Sequence, residues 1–464
     1  MKRLFGTDGM RGLAGRFPLD APTIRVVGAA LARHLAARSA LGQATHLVVG
    51  RDTRESGPWI EAALTEGATR AGARVESAGV ITTPGVAYLA RTLQADAGIV
   101  ISASHNPYQD NGIKIFAPSG RKLDDATERL IEADIAAQAG QQAAEETQTA
   151  TSDNSAHAAF VDSPEAARLR ERYLDYLAGE VAGGLSLEGL RLVVDCANGA
   201  SSHLAPALFR KLGAQVVAIN DEPDGRNINH NCGSLHIEGL RQKTQAGGAD
   251  LGVAFDGDAD RALFVDARGE FVDGDATLWV LAQYLSAREQ LNGGLVVATV
   301  MSNIGLEIAL RSKGWQLART DVGDKYVLEE LLRTRASIGG EQSGHLIFPS
   351  LSLAGDGMIT TLCLLRAMRE HERPLHELTA GFRRYPQVLV NVRVREKLPF
   401  AEVEAIERAA RETEEQLGAK GRLLLRYSGT EPLARVMIEG ERQDVIEQQA
   451  HALAAVIKEA LGAA

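Results

Sequence analysis

The chain has 464 residues, of which 45% are hydrophobic and 24% charged, so its length exceeds what one core usually fills and favours about three domains. The net charge of -10, with no stretch that clusters Lys and Arg with aromatic residues, excludes the footprint of a nucleic-acid or anionic-membrane binder. Three widely separated cysteines and the absence of any apolar run long enough for a bilayer predict a soluble, cytoplasmic protein.

Short β-rich runs alternate with amphipathic segments from Thr45 to about Leu291, which is typical of parallel α/β structure. The first round of this alternation ends in the strand AGIVISAS at 97–104. The later part of the polar stretch 138–157 has weak periodicity and is interpreted as a linker. We therefore predict a first α/β domain over residues 1–155.

The alternation restarts twice, with RLVVDCANGA at 191–200 and with GLVVATV at 294–300. These rounds predict a second α/β domain over 156–262 and a third over 263–378. The remaining residues, 379–464, contain fewer strands and a charged helix, and they predict a smaller α+β domain. Because ligands bind beyond the carboxyl ends of strands in open α/β sheets, polar motifs at these ends are candidate sites.

Ser104 follows the predicted strand 97–104 directly, and Pro107 then stops the strand. This arrangement presents a hydroxyl group on a loop at the carboxyl end of the sheet. A serine in such a place can also simply cap the next turn, and only nearby partners favour a role in chemistry.

Asp256, Asp258 and Asp260 alternate in the sequence AFDGDADRAL and project to one side if the segment is extended. Three like charges this close need a cation, and hard oxygen ligands suit magnesium. Arg261 adds a positive group for a phosphoryl oxygen. An EF-hand is excluded because its sixth position would be Arg261 instead of glycine. A solvated turn is the alternative interpretation.

Two further loops carry candidate binding groups. The loop GEQSGH, which contains Glu341, Ser343 and His345, suits a ligand with many hydroxyl groups, although a lone histidine is often only structural. The loop RYSGTEP lies between two predicted strands of the last domain and suits a phosphate, with an ordinary hairpin as the alternative. No P-loop motif occurs, which disfavours an NTPase. Arg11 and Lys114 lie in shorter polar motifs that bring cations toward Ser104.

The motifs ISASHNP, DGDADR, GEQSGH and RYSGTEP resemble, in order and over the whole length, the four hallmark loops of the α-D-phosphohexomutase superfamily. Within it the chain is most similar to the bacterial phosphoglucosamine mutases, through FGTDGMRG, GRDTRESG, NCGSLH, TVMSNIGLE and YPQVLVNVRV. Small departures are Ala259 in place of a common glycine, Tyr427 in place of proline and Leu235 in place of threonine. The resemblance implies three similar α/β domains with mixed sheets and a C-terminal smaller α+β domain around a central cleft.

The resemblance also implies roles for individual residues. Ser104 would be a phosphoserine in the resting enzyme, and one Mg²⁺ per chain would be held by Ser104, Asp256, Asp258 and Asp260. Lys114, Arg11 and His345 would be the candidates for acid and base. The substrate-binding residues implied by the resemblance are Arg261, Glu341, Ser343, Arg426, Ser428, Gly429, Thr430 and Arg435.

The implied reaction interconverts glucosamine 6-phosphate and glucosamine 1-phosphate through a 1,6-bisphosphate, and it would supply UDP-N-acetylglucosamine synthesis. Glucosamine or glucose 1,6-bisphosphate is the expected activator, and a small sugar phosphate is the expected partner. The alternatives are a phosphomannomutase or phosphoglucomutase, a metal-dependent phosphatase, and a non-catalytic protein that binds sugar phosphates. The sequence leaves the oligomeric state open, a homodimer included.

Overall fold

The computed structural model describes residues 4–6, 8–38, 44–145, 163–428 and 431–462. The chain forms two compact units, one made of Met1–Val300 with Ala318–Ala380 and the other of Met301–Leu317 with Gly381–Ala464. Among the helices that the structure describes, none has both the length and the apolar character needed to cross a membrane.

The first sheet has six strands in the order β1-β2-β6-β5-β3-β4. Strand β3 runs parallel to β4 and β5, whereas β6 runs antiparallel to β5 and to β2. The first helix begins at a capped position, where the Asp20 side chain accepts the amide of Thr23 at 3.0 Å. The elements are β1 (Phe5–Gly6), β2 (Gly9–Leu13), β3 (His46–Arg51), β4 (Arg74–Val80), β5 (Ala97–Ile101), β6 (Asp110–Phe116), α1 (Ala21–Ala36), α2 (Gly57–Arg70), α3 (Thr83–Thr92) and α4 (Asp125–Glu145).

The second sheet has the order β11-β10-β9-β7-β8, in which β7 is parallel to β8 and β9. Strand β10 returns antiparallel to β9, so the chain reverses direction in the segment between them. All five residues of β9 are buried, as expected for an inner strand. The elements are α5 (Pro164–Asp175), β7 (Arg191–Asp195), α6 (Ala205–Lys211), β8 (Gln215–Ile219), α7 (Glu238–Ala246), β9 (Leu251–Phe255), β10 (Ala262–Asp266) and β11 (Phe271–Val272).

The third sheet has the order β13-β12-β14-β15, with β12 parallel to β14 and β14 antiparallel to β15. Its last two strands have only two residues each, and the polar loop GEQSGH connects them. The elements are α8 (Gly274–Ala287), β12 (Leu295–Thr299), α9 (Ile304–Ser312), β13 (Gln316–Thr320), α10 (Asp324–Thr334), β14 (Gly339–Gly340), β15 (Leu346–Ile347), α11 (Gly357–His371) and α12 (Leu375–Leu378).

The last sheet is antiparallel throughout, in the order β16-β18-β17. Its apolar face forms a core with two helices, in which Ile406, Val436 and Ile446 are almost fully buried. The elements are β16 (Gln387–Arg393), α13 (Glu404–Leu417), β17 (Arg422–Tyr427), β18 (Leu433–Glu439) and α14 (Gln443–Leu461).

Three mixed sheets with helices and one smaller antiparallel sheet confirm the predicted fold class. The strand predicted at 97–104 ends at Ile101, and the chain enters a turn at Ser104. Helix α4 extends to Glu145, into the stretch where the linker was predicted, and the rest of that stretch lies outside the described residues. The boundaries between the four domains remain predictions.

Candidate active site

Ser104 lies in the loop between β5 and β6 and is almost fully buried, with 1% of its surface exposed. Its backbone has a φ of 52°, in the left-handed region that residues other than glycine rarely adopt. The hydroxyl Oγ donates to Asp256 Oδ2 at 2.6 Å and lies 3.3 Å from His105 Nδ1. The serine is therefore aimed at the acidic segment that follows β9.

Asp256, Asp258 and Asp260 are buried, and each offers a carboxylate oxygen within 4.8 Å of the others. The expectation of an extended segment is wrong, since residues 257–260 form a turn and Ala259 has a φ of 55°. The turn folds back between the antiparallel strands β9 and β10, and this folding brings the three carboxylates together. The alternation in the sequence thus predicted the cluster correctly but for the wrong geometric reason.

The turn can accommodate a cation. Asp258 Oδ1 and Asp260 Oδ1 are buried and accept no hydrogen bond from the described residues. Burial, followed by the charges of Asp260 and Asp258, raises the pKa of Asp256 well above its usual range. The three buried carboxylates supply the oxygen ligands that a hard divalent ion binds, and such an ion would compensate their negative charge.

Lys114 is buried beside the triad, with Nζ 2.9 Å from Asp258 Oδ2 and 3.6 Å from Asp260 Oδ2. Nζ also lies 3.2 Å from Asp8 Oδ2. Burial alone would lower the pKa of Lys114, but the carboxylates of Asp258, Asp8 and Asp260 raise it far above the usual value. The lysine is therefore held in its charged form next to the serine loop.

Two arginines approach the same loop, Arg11 from β2 and Arg261 from the position just before β10. Arg11 in β2 donates from Nη1 to the Ala103 carbonyl at 3.2 Å and forms an ion pair with Asp8. Arg261 has its amide 3.2 Å from Asp256 Oδ1 and its Nη1 3.3 Å from His105 Nδ1. Their guanidinium groups place positive charge beside the serine loop.

The loop GEQSGH lies directly against the acidic turn. The Gly344 carbonyl accepts the amide of Ala262, the first residue of β10, at 3.1 Å. Within the loop, Ser343 Oγ donates to Glu341 Oε2 at 3.2 Å, so the two predicted sugar-binding side chains lie side by side. A Cβ on Gly344 would meet the Ala262 carbonyl at 2.4 Å, which explains a glycine at this position.

His345 is 5% exposed and connects this loop to the triad, with Nδ1 3.5 Å from Asp260 Oδ1. Its Nε2 lies 3.9 Å from Asp324 Oδ2, at the start of α10. Burial opposes the charged imidazole, but the carboxylates of Asp260 and Asp324 raise the pKa of His345 to about 9. A cavity of about 340 Å³ opens beside this histidine and is lined in part by Asp8, Lys114, Asp260 and Asp324.

The predicted phosphate loop belongs to the second unit and is described there by itself. Arg426 in β17 and Arg435 in β18 are direct cross-strand partners, and burial followed by the charge of Arg435 lowers the pKa of Arg426. Ser428 is buried, and its carbonyl accepts Lys397 Nζ at 2.5 Å. Gly429 and Thr430 lie outside the described residues.

Sequence reasoning missed several polar residues around Ser104. His105 was quoted in the motif ISASHNP but received no role, and burial together with Arg261 and Arg11 lowers its pKa to about 4. Arg54 and Asn229 contact the backbone of the serine loop from 50 and 125 residues away. The sequence pointed to these two residues only through the place of Arg54 in the motif GRDTRESG and that of Asn229 near the motif NCGSLH.

Comparisons with known proteins identify relatives of the chain. Four domain families described as phosphoglucomutase/phosphomannomutase match the chain: α/β/α domain I at 2–142, domain II at 171–269, domain III at 273–385 and the C-terminal domain at 389–456. A protein of Solibacter usitatus named phosphoglucosamine mutase is 49% identical over 461 residues, which cover 99% of each chain.

Two solved structures have a similar fold. A phosphoglucomutase/phosphomannomutase family protein of Burkholderia thailandensis is 25% identical, with a TM-score of 0.77 over 99% of this chain and 98% of that one. An N-acetylphosphoglucosamine mutase of Aspergillus fumigatus, solved in complex with GlcNAc-6P and magnesium, is 18% identical. Its TM-score is 0.61 over 98% of this chain and 96% of that one.

Fold, site and relatives together define an isomerase, an intramolecular phosphotransferase of the phosphohexomutase type. More narrowly, the chain belongs to the phosphoglucomutase/phosphomannomutase family, and within it to the group of the phosphoglucosamine mutases.

Proposed function

We propose that the chain interconverts glucosamine 6-phosphate and glucosamine 1-phosphate, with Ser104 as the residue that carries the phosphoryl group. The observation that supports this most is the buried Ser104 hydroxyl, 2.6 Å from Asp256 in a cluster of three carboxylates. The full-length relatives at 46–49% identity bear the name of that activity, which favours an amino sugar over glucose or mannose.

In the forward direction, phospho-Ser104 gives its phosphoryl group to the free 1-hydroxyl of glucosamine 6-phosphate. A bond forms between phosphorus and the sugar oxygen while the bond between phosphorus and Ser104 Oγ breaks. The proton of the sugar hydroxyl leaves, and Oγ regains one. The resulting 1,6-bisphosphate turns over and returns its 6-phosphoryl group to Ser104, so that glucosamine 1-phosphate leaves and the phosphoenzyme is restored.

The cations around Ser104 are assigned to the phosphoryl group. Lys114, Arg11 and Arg261 surround it with positive charge, which stabilises the charge that develops during transfer. Lys114, Arg11 and His345 are the candidates for the acid and the base, because all three lie at the triad or at the serine loop.

Mg²⁺ is the ion that we assign to the triad, with Asp256, Asp258, Asp260 and one oxygen of phospho-Ser104 as its ligands. When bound, this ion supplies positive charge next to the phosphoryl oxygens. Asp256 at the end of β9 and Asp258 and Asp260 in the turn that follows would hold it, and all three carboxylates are buried from water.

Substrate binding is divided between two loops. Glu341 and Ser343 offer an acceptor and a hydroxyl to the sugar hydroxyl groups in either orientation of the intermediate. Arg426, Ser428 and Arg435, with Gly429 and Thr430 between them in sequence, are assigned to a phosphate group. Glucosamine or glucose 1,6-bisphosphate would act as an activator by phosphorylating an empty Ser104.

The test compares the turnover of glucosamine 6-phosphate, glucose 6-phosphate and mannose 6-phosphate by the parent protein and by Ser104→Ala. We expect glucosamine 6-phosphate to be preferred and the alanine variant to lose at least about 1,000-fold in kcat, since the relay hydroxyl is gone. Intact mass spectrometry should show one phosphoryl group on the parent protein and none on the variant.

Ser119→Ala is the matched control, because Ser119 is exposed on the hairpin after β6, where its Oγ accepts the Arg121 amide at 3.4 Å. Equal rates on all three sugar phosphates would refute glucosamine 6-phosphate as the preferred substrate but would leave the mutase activity in place. Full activity of Ser104→Ala would defeat the relay, and release of inorganic phosphate in place of an isomer would indicate a phosphatase.

A further inference from the structure

The backbone of the serine loop needs outside support. Ser104 adopts a left-handed conformation, which costs a residue with a Cβ atom about 1 kcal/mol or more relative to the right-handed regions. The direction of Oγ depends on this conformation, because the Cβ position is fixed by the backbone. Whatever holds the carbonyl groups of this loop therefore also aims the hydroxyl at Asp256.

One such support is Arg54, at the start of the segment that leads into α2. Its side chain is fully buried, and Nη2 donates to the carbonyls of Ser104 and Asn106, each at 2.9 Å. Nη1 donates to the Pro107 carbonyl at 2.8 Å. The planar guanidinium thus binds three carbonyls of one turn, which a single ammonium group does not match.

The guanidinium is itself anchored. Arg54 Nε donates to Asp52 Oδ2 at 3.0 Å, and the same oxygen accepts Ser102 Oγ at 2.6 Å. Ser102 Oγ in turn accepts the amide of Ser104 at 2.9 Å. All three nitrogens of Arg54 are therefore engaged by protein oxygens, and its charge acts on the backbone of the loop instead of on a bound phosphate.

The second support is Asn229, which lies in the segment between β8 and α7. Its Nδ2 donates to the Ser104 carbonyl at 2.9 Å and to the Asn106 carbonyl at 3.1 Å. The backbone N–H of Asn229 donates to the Ala197 carbonyl at 2.9 Å, which ties its backbone to the segment that follows β7. Arg54 and Asn229 thus donate to the same two carbonyls, Arg54 from the segment between β3 and α2 and Asn229 from the segment between β8 and α7.

We propose that Arg54 and Asn229 are positioning residues, which hold the backbone of the serine loop so that Ser104 Oγ faces the acidic turn. This inference rests on the proposed function, since it assigns them to a phosphoryl-carrying serine. Neither side chain touches the Oγ atom, so their removal should lower the rate of phosphoryl transfer and leave substrate binding nearly unchanged.

The experiment compares Asn229→Ala with Asn231→Ala in the full chain. Both asparagines have left-handed backbones, with φ values of 57° and 54°, so both substitutions carry the same backbone cost. Asn231 is exposed, and its Nδ2 lies 3.4 Å from His230 Nε2, away from the carbonyls of the serine loop. The difference between the two variants therefore reports the side chain of Asn229.

For Asn229→Ala we expect a loss of about tenfold in kcat relative to Asn231→Ala, with the KM for glucosamine 6-phosphate changed by less than about twofold. The ³¹P resonance of phospho-Ser104 should shift or broaden in Asn229→Ala alone. A purely structural role would lower the melting temperature without moving this resonance or separating kcat from KM.

Arg54→Lys is the second variant. It keeps the positive charge but loses the planar guanidinium that donates to three carbonyls, so it should reproduce the kcat loss and the ³¹P change. It also keeps the test decisive if Asn229→Ala does not fold. Equal kcat values for Asn229→Ala and Asn231→Ala, or an unchanged ³¹P resonance, would overturn the positioning role. An active Ser104→Ala variant would instead overturn the proposed function, so the two failures are distinguishable.

Discussion

Both carboxylate oxygens of Asp256 accept a hydrogen bond, Oδ2 from the Ser104 hydroxyl and Oδ1 from the backbone amide of Arg261. Phosphorylation of Ser104 would remove the first donor and add a charge of about -1.5 to -2 beside three carboxylates. Lys114 and Arg261 offset only part of this negative charge. At the level of single residues, the three aspartates can therefore lie beside a phosphoserine only when a divalent cation is also bound.

This argument predicts that Mg²⁺ raises the melting temperature of the parent protein and not that of Asp256→Asn. Asparagine resembles the protonated carboxyl that the high pKa of Asp256 favours, so the variant should fold and melt at or above the ion-free parent. At a concentration 100 times the Kd, a bound ion contributes about 2.7 kcal/mol to the stability of the parent. Differential scanning fluorimetry over a Mg²⁺ titration measures both.

Asp250→Asn is the control, because Asp250 precedes the other end of β9 and accepts the amide of Arg191. It should keep the full Mg²⁺-dependent rise. A rise of equal size in Asp256→Asn would show that Mg²⁺ binds elsewhere on the chain.

At the level of elements, the loops after β5 and β9 approach each other so closely that only a glycine fits between them. A Cβ on Gly257 would meet the Ser104 carbonyl at 2.6 Å and Asn229 Nδ2 at 2.9 Å. The backbone of the acidic turn is thus packed against the carbonyl that Arg54 and Asn229 hold. This contact links the position of the triad to that of the serine.

We predict that Gly257→Ala destabilises the protein by about 1–3 kcal/mol and lowers kcat, because the two loops must separate to admit the methyl group. The measurements are chemical unfolding and the steady-state rate with glucosamine 6-phosphate. Gly239→Ala is the matched control, since Gly239 lies in α7 with nothing within 4 Å of the added Cβ. It should be neutral or slightly stabilising, and similar behaviour of both variants would refute the close approach.

The same elements show what sequence can predict. The strands β3, β5, β7 and β9 follow from their buried apolar runs, and the motifs at their ends identify Ser104 and the three aspartates. The turn at 257–260 cannot be predicted from the sequence, because an alternating pattern also fits an extended segment. Arg54 and Asn229 do not follow either, since their hydrogen bonds cross between distant parts of the chain.

At the scale of the whole molecule, the chain enters the second unit twice, first as Met301–Leu317 and then as Gly381–Ala464. No local pattern predicts this, because residues 301–317 continue the βα alternation of the third predicted domain. Long-range polar contacts join these two segments of the second unit. Glu439, which is fully buried in β18, accepts Asn303 Nδ2 at 3.1 Å and the Ile304 amide at 3.2 Å at the start of α9.

Glu439 also pairs with Arg422, whose Nε donates to Oε2 at 2.8 Å. Replacing Glu439 by Gln keeps the volume but leaves the guanidinium, itself largely buried, without its carboxylate. We expect a loss of about 3 kcal/mol, confined to the second unit, and therefore an earlier transition in calorimetric unfolding while the main transition stays in place. Glu441→Gln, which removes only an exposed ion pair with Lys420, should leave both transitions unchanged. A uniform shift of the whole unfolding profile in Glu439→Gln would contradict the division of the chain into two units.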